Sequence, residues 1–240
     1  MQQTASLLQV DDLDAAYGRA QVLFGVSLRL ERGETVALMG RNGAGKSTTL
    51  KAIMGLLPVA AGSVKFAGQE ICRLPTYRIA RLGLGYVPED RRIFTDLSVF
   101  ENLEVGAKAA RSQGRTRWTP ERLFSIFPNL AEMRGRQASQ MSGGEQQMLS
   151  IARTLMGNPD AILLDEPTEG LAPVIVDEMV AAMARMKREG IAVLVSEQNL
   201  SFAAAVADRA YLIAKGVVRH EGPMAEIAGN AALRETHLGV

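Results

Sequence analysis

A single cysteine, Cys72, and only two histidines, His220 and His237, stand among the 240 residues of this chain. An internal disulfide is excluded, and a catalytic thiol would lack a histidine near it in sequence, so Cys72 reads as a small apolar filler in a reducing compartment. An excess of charge is also missing. The formal net charge of +1 gives no general pull toward nucleic acid or anionic lipid, so such a partner would need a local patch. Met1 to Val10 has neither a basic start nor an apolar stretch of signal-peptide length, and no run approaches the roughly 18 apolar residues that span a bilayer. The expectation is a soluble, intracellular chain, docked on a membrane only through others. No internal repeat or low-complexity linker is visible. What is present is 47% apolar residues, enough for one core, or for one domain carrying a smaller lobe.

Gly40 to Thr48 reads GRNGAGKST and matches G-x-x-x-x-G-K-[ST] at every fixed position, directly after the apolar run Thr35 to Met39. The pattern predicts a strand, a phosphate-cradling loop and a helix over Thr48 to Met54. Gly40, Gly43 and Gly45 let phosphate oxygens approach successive main-chain N–H groups, with Arg41, Asn42 and Ala44 completing the loop. Lys46 offers a point charge to the β- and γ-phosphates, Ser47 a hydroxyl for Mg²⁺, and Thr48 opens the helix. A glycine-rich turn before a helix is the structural alternative.

Leu7 to Ala16 and Val22 to Leu30 alternate apolar and polar residues around Gly18, which predicts antiparallel strands with one wet face; Ser63 to Phe66 returns to strand. Val99 to Gln137 is charged and Arg-rich, with helical patches at Glu101 to Ala110 and Glu121 to Phe127, and reads as a helical lobe inserted into the sheet domain. Ala161 to Leu164 and Ile191 to Ser196 are continuous aliphatic runs of the kind found in central parallel strands. Between them Ile175, Met179, Ala182, Met183 and Met186 fall on one side of a helix, giving βαβ organisation.

The run AILLDEP at Ala161 to Pro167 ends a strand in two carboxylates, Asp165 and Glu166, at the sheet edge where ligands bind in open α/β folds. One carboxylate suits Mg²⁺ held through water, the other a water attacking the γ-phosphate; a strand ended by solvated acids is the plainer reading. Met141 to Glu145 reads MSGGE before a second helical run. Ser142 and Glu145 have capping-box spacing, which leaves Gly143 and Gly144 without a structural reason and suggests an anion at that helix start.

These elements in this order resemble the ATP-binding cassette family, from about Leu7 to Gly222. The resemblance implies an α/β phosphate-loop NTPase fold: an N-terminal antiparallel β subdomain, a parallel-sheet core and an inserted α-helical subdomain at about 95–155, all within one ATPase domain spanning 1–240. It implies ATP and Mg²⁺ as cofactors, and a head-to-tail dimer in which Ser142, Gly143 and Gly144 close on the nucleotide of a partner. Lys46 and Ser47 would hold phosphate and metal, Asp165 would position the metal, and Glu166 would act as base. Tyr17 stands where the family places the aromatic that stacks on adenine, with a plain strand-end tyrosine as the alternative.

Three positions depart from the family pattern. Glu89 stands where most cassettes carry the glutamine that senses the γ-phosphate, Gln198 where the switch histidine stands, and Ala172 at a usual aspartate. Neutral Gln198 cannot become cationic, so hydrolysis at this chain's own loop is expected to be slow. PEDRRIF at 88–94, SVFENL at 98–103, EGLAP at 169–173 and SEQN at 196–199 are similar to the second, LivF-type ATPase of branched-chain amino acid importers; urea, amide and other small-solute importers carry closely similar subunits. That similarity implies a second cassette ATPase, two integral membrane permeases and, indirectly, a solute-binding protein as partners, on the cytoplasmic face of the inner membrane. A homodimer in isolation is compatible with it. A cassette acting on nucleic acid or ribosomes is the rival from another class, opposed by the near-neutral charge; a binding-only regulatory subunit is another, opposed by Glu166. Arg111 to Arg117 reads as a solvated face rather than a permease contact.

Overall fold

The computed structural model describes residues 6–108 and 117–239. The chain begins with β1 (Leu8–Tyr17) and β2 (Ala20–Leu30), whose alternating residues pair antiparallel with Leu8 opposite Leu30 and Val10 opposite Leu28. Then β3 (Thr35–Met39) enters a second sheet and leads through the glycine-rich loop into α1 (Lys46–Ile53). β4 (Val59–Phe66) and β5 (Gln69–Glu70) return to the first sheet, whose order is β2-β1-β4-β5.

Next come α2 (Thr76–Leu82) and β6 (Leu84–Val87), followed by α3 (Val99–Gly106), α4 (Pro120–Ile126), α5 (Pro128–Glu132) and α6 (Gly143–Leu155). These four helices lie in the chain between β6 and β7 (Ala161–Asp165), so the helical segment interrupts the strand succession as the composition shift predicts. α3 begins two residues before the expected Glu101 because Ser98 and Glu101 form a capping box there. Of the Arg-rich segment, residues 111–116 lie outside the described residues, and Arg117 is exposed. The chain ends with α7 (Pro173–Arg188), β8 (Ala192–Glu197), α8 (Leu200–Val206), β9 (Arg209–Ala214), β10 (Val217–Pro223), α9 (Met224–Gly229) and α10 (Ala231–His237).

The second sheet runs β10-β9-β3-β8-β7-β6, with β9, β3, β8, β7 and β6 parallel. β3 and β7 are buried along their whole length, which explains why they read as unbroken aliphatic runs. The two-residue period of a strand splits them between two cores. Ala37, Met39, Ile162, Leu164, Val193 and Val195 face the helices α6 and α7, whereas Val36, Leu38, Leu163 and Leu194 face α1 and the antiparallel sheet. Truncating any of these leucines to alanine would cost about 2–5 kcal/mol. Met39 pairs with Glu197 and Asp165 with Ser196. The carboxyl ends of β3, β7 and β8 therefore finish level, and the loops leaving these strands meet at one edge.

Candidate nucleotide-binding and hydrolytic site

At that edge the loop 40–45 wraps the start of α1. Gly45 caps the helix at φ +112 with no side-chain hydrogen bond to the helix N–H groups, so no side chain competes with an incoming anion there. The glycines also serve the loop itself. A Cβ on Gly40 would sit 2.3 Å from the Ile213 carbonyl, and one on Gly45 would sit 2.9 Å from Leu23 Cδ2. The expected reason, phosphate approach, is thus joined by packing against β9 and β2. Arg41, Asn42 and Gly43 are exposed at the loop tip, Ala44 and Thr48 are buried, and Ser47 is half-buried. The Ser47 hydroxyl has no hydrogen-bond partner among the described residues.

Lys46 is 3% exposed. Its ammonium donates to the carbonyls of Gly40 at 2.7 Å and Arg41 at 3.2 Å, and pairs with Glu166 Oε1 at 3.1 Å. Glu166 follows β7 with φ +45, a conformation that costs a glutamate on the order of 1–3 kcal/mol and persists only where the surroundings enforce it. Ser196 enforces it: the Glu166 N–H lies 3.1 Å from both its carbonyl and its hydroxyl. The Asp165 carboxylate, 1% exposed, accepts from Ser196 Oγ at 2.7 Å and from the Tyr86 hydroxyl at 3.1 Å. Burial and the Asp165 charge push the Tyr86 phenol far above its usual range, so it remains a donor.

The Ser142 segment forms a different helix start. Ser142 caps α6, with its hydroxyl taking the Glu145 N–H and Glu145 returning to the Ser142 N–H at 2.6 Å. Gly144, which looked free of any packing reason in sequence, has one, whereas Gly143 does not. A Cβ on Gly144 would meet the branched Ile175 Cγ2 of α7 at 2.7 Å, whereas one on Gly143 would meet at 2.8 Å only the flexible end of the Arg91 side chain, which can swing aside. A tertiary neighbour, invisible to a local pattern, supplies the constraint at Gly144.

The ABC transporter family model matches residues 23–169. A high-affinity branched-chain amino acid transport ATP-binding protein, BraG of Pseudomonas aeruginosa, is 39% identical over 97% of this chain and 100% of its own length. The chain belongs to the ABC transporter family. The lipopolysaccharide export ATP-binding protein LptB of Escherichia coli K12 is 34% identical over 97% of both chains. Among solved structures, MJ1267, an ATP-binding cassette of an ABC transporter in its ADP conformation, superposes with a TM-score of 0.82 at 25% identity, covering 99% of this chain and 100% of that one. The chain is thus an ATP-binding, ATP-hydrolysing cassette, with the fold its motifs lead one to expect.

Within the cassette, the three departures take up distinct places. Glu89 is exposed and lines a cavity with Glu166 and Glu169; partial burial and the neighbouring carboxylates of Glu169, Glu166 and Asp165 raise its pKa. Gln198 and Tyr17 are exposed at the ends of β8 and β1, and Ala172 caps α7 without a side-chain bond. Glu197 is a buried carboxylate beside these segments to which the sequence motifs gave no role. It is 2% exposed, and one oxygen accepts from the Thr168 N–H at 3.1 Å and hydroxyl at 2.7 Å while the other accepts from the N–H groups of Gln198 and Asn199 at 3.1 Å each. One buried carboxylate therefore ties the segment after Glu166 to the segment carrying Gln198, and burial raises its pKa despite those bonds. An acid ending a central aliphatic strand was the available signal, the same one that drew attention to Asp165.

The face of β6 and α3 carries a groove of about 440 Å³ whose lining includes Leu56, Tyr86, Phe94, Val105 and Arg153. Leu56, Phe94 and Val105 are large apolar side chains 46–57% exposed. Phe94 is held there by Asn102, wholly buried, whose side chain accepts from the Phe94 N–H and donates to the carbonyls of Phe94 and Ser98; the Arg153 guanidinium covers its ring at 4.9 Å.

Proposed function

We propose that this chain is the ATP-hydrolysing subunit of a membrane importer for branched-chain or closely related amino acids. The observation that carries the hydrolytic part is the Lys46–Glu166 pair at 3.1 Å, which joins the phosphate loop to the carboxylate ending β7. A triphosphate entering the loop competes with Glu166 for the ammonium. Lys46 then neutralises phosphate charge, and the released Glu166 carboxylate takes a proton from the attacking water. The exposed Tyr17 ring offers a face for adenine. Glu89 and Gln198 flank the γ-phosphate position, the first as an acceptor toward water, the second as a neutral donor.

Mg²⁺ fits the oxygen donors present: an unpartnered Ser47 hydroxyl and the buried Asp165 carboxylate, few protein ligands of the kind that leave the ion several waters. When bound, it would neutralise charge on the phosphate oxygens. Ser142, Gly143 and Gly144 present the N–H end of α6 to the nucleotide of a second cassette, which is the kindred ATPase subunit in the assembled importer or another copy in isolation.

The groove at Phe94 and Val105 is the docking site for a cytoplasmic segment of one of two membrane permeases: apolar side chains gathered on one face are what an amphipathic helix covers. Among the described residues no helix is long and apolar enough to cross a membrane, in keeping with peripheral attachment on the cytoplasmic face through those permeases. A solute-binding protein would deliver the cargo on the other side; nucleic acid has no part. The similarity to BraG, a branched-chain amino acid transport protein, supports the amino-acid cargo, while the similarity to LptB favours a second reading, lipopolysaccharide export.

Deleting the gene in its host and following uptake of radiolabelled leucine and urea, together with lipopolysaccharide at the cell surface, separates the readings. Loss of leucine uptake alone is expected. Intact leucine uptake with loss of either other activity would overturn the proposed cargo.

A further inference from the structure

Gln147 of α6 is 2% exposed, and neither its Nε2 nor its Oε1 has a hydrogen-bond partner among the described residues. An unpaired buried amide costs on the order of 1–3 kcal/mol. Methionine would fill nearly the same space without that cost, so the amide needs a reason. The cavity it lines supplies one. Glu89, Arg91, Glu166, Pro167 and Glu169 form the remaining walls around about 120 Å³, well above the roughly 10–15 Å³ that one water requires. Three carboxylates, a guanidinium and an amide give water several partners at once, which distinguishes this cavity from a dry apolar one.

Glu166 borders this cavity as well as the phosphate loop. Its backbone is fixed by Ser196, so the carboxylate's position is set by what its side chain meets: Lys46 at 3.1 Å in one direction, the contents of the cavity in the other. We infer that Gln147 is a positioning residue for Glu166, acting through water held in this cavity. The amide donates to the water, and the water donates to the carboxylate, orienting its free lone pairs toward the attacking water instead of leaving them to Lys46. The inference rests on Glu166 being the base.

The test compares Gln147→Met with Gln147→Asn in the full-length chain, measuring kcat and KM for ATP, binding of a fluorescent ATP analogue, and melting temperature. Gln147→Met is expected to lower kcat on the order of tenfold, a fraction of the 10²–10⁴ that a general base contributes. Analogue binding should stay within about twofold and melting should be nearly unchanged, since methionine fills nearly the same space. Gln147→Asn, which keeps an amide and leaves room for one more water, should recover much of the rate. In a Glu166→Gln background the methionine should have no further effect, as expected for residues acting as a unit. A wild-type kcat in Gln147→Met, or a loss of kcat accompanied by weaker binding and lower melting, overturns the inference. Should Glu166→Gln itself hydrolyse ATP at the normal rate, the reading of the base fails and the inference falls with it; an inactive Glu166→Gln beside a fully active Gln147→Met sinks the inference alone.

Discussion

The starts of α1 and α6 both carry glycines, and they are built in opposite ways. α1 begins at Gly45 with no side-chain cap, and its own Lys46 is folded back onto the loop carbonyls and Glu166. α6 begins at Ser142 with a complete capping box, and its Gly144 is pressed against Ile175. The first is a charged cradle with N–H groups that no side chain occupies. The second is self-satisfied by its capping box and without a lysine, so it can add contacts to a bound triphosphate but is poorly equipped to hold one alone. On the proposed reading one chain carries two unequal parts of a phosphate site, and that inequality would call for a second cassette.

The largest effect should come from the cradle. Lys46→Ala and Glu166→Gln are each expected to lower steady-state hydrolysis by about 10²-fold or more, but only Lys46→Ala should weaken equilibrium binding of a fluorescent ATP analogue. Equal losses of binding would erase the division of labour between the two side chains. At the tip, Ser142→Ala should leave analogue binding intact while hydrolysis by the assembled dimer falls; loss of the cap costs about 1 kcal/mol, which lowers melting by roughly 2–4 °C in a chain of this size.

Gly144→Ala sharpens the claim that packing fixes the tip. Its new Cβ would meet Ile175 Cγ2 at 2.7 Å, overpacking worth about 1–3 kcal/mol. Ile175→Ala should recover part of that loss, so a double-mutant cycle should be non-additive; additive losses would place the strain elsewhere. The smallest effect is expected away from both helix starts. Burial and the Glu70 carboxylate push the Cys72 thiol up to about 11. Alkylation should therefore be slow at neutral pH and accelerate nearly tenfold per pH unit until that value is approached, because only the thiolate reacts. A rate that levels off near pH 8.5 would contradict it.

Much of this was legible in the sequence, for a physical reason. The phosphate loop, the strand-end carboxylates and the Ser142–Glu145 box are local patterns, and β3, β7 and β8 announce themselves because burial on both faces leaves their middles aliphatic. Contacts between segments distant in the chain were not legible. Nothing near Gly144 points to Ile175, nothing near Thr168 points to Glu197, and Gln147 reads as one polar residue on an amphipathic helix until the fold sets it against the wall of a cavity shared with Glu166. Two helix starts moved by two residues where a cap, Ser98 or Gly45, outweighed the apolar period.

The central claim is a triphosphate clamped between the cradle of one cassette and the tip of another. Light scattering of Glu166→Gln with ATP and Mg²⁺, with and without Ser142→Ala in the same chain, tests this most directly. A dimer that forms with ATP and dissociates when Ser142 is also replaced is the expected result; a dimer indifferent to Ser142, or a monomer at saturating ATP, would contradict it.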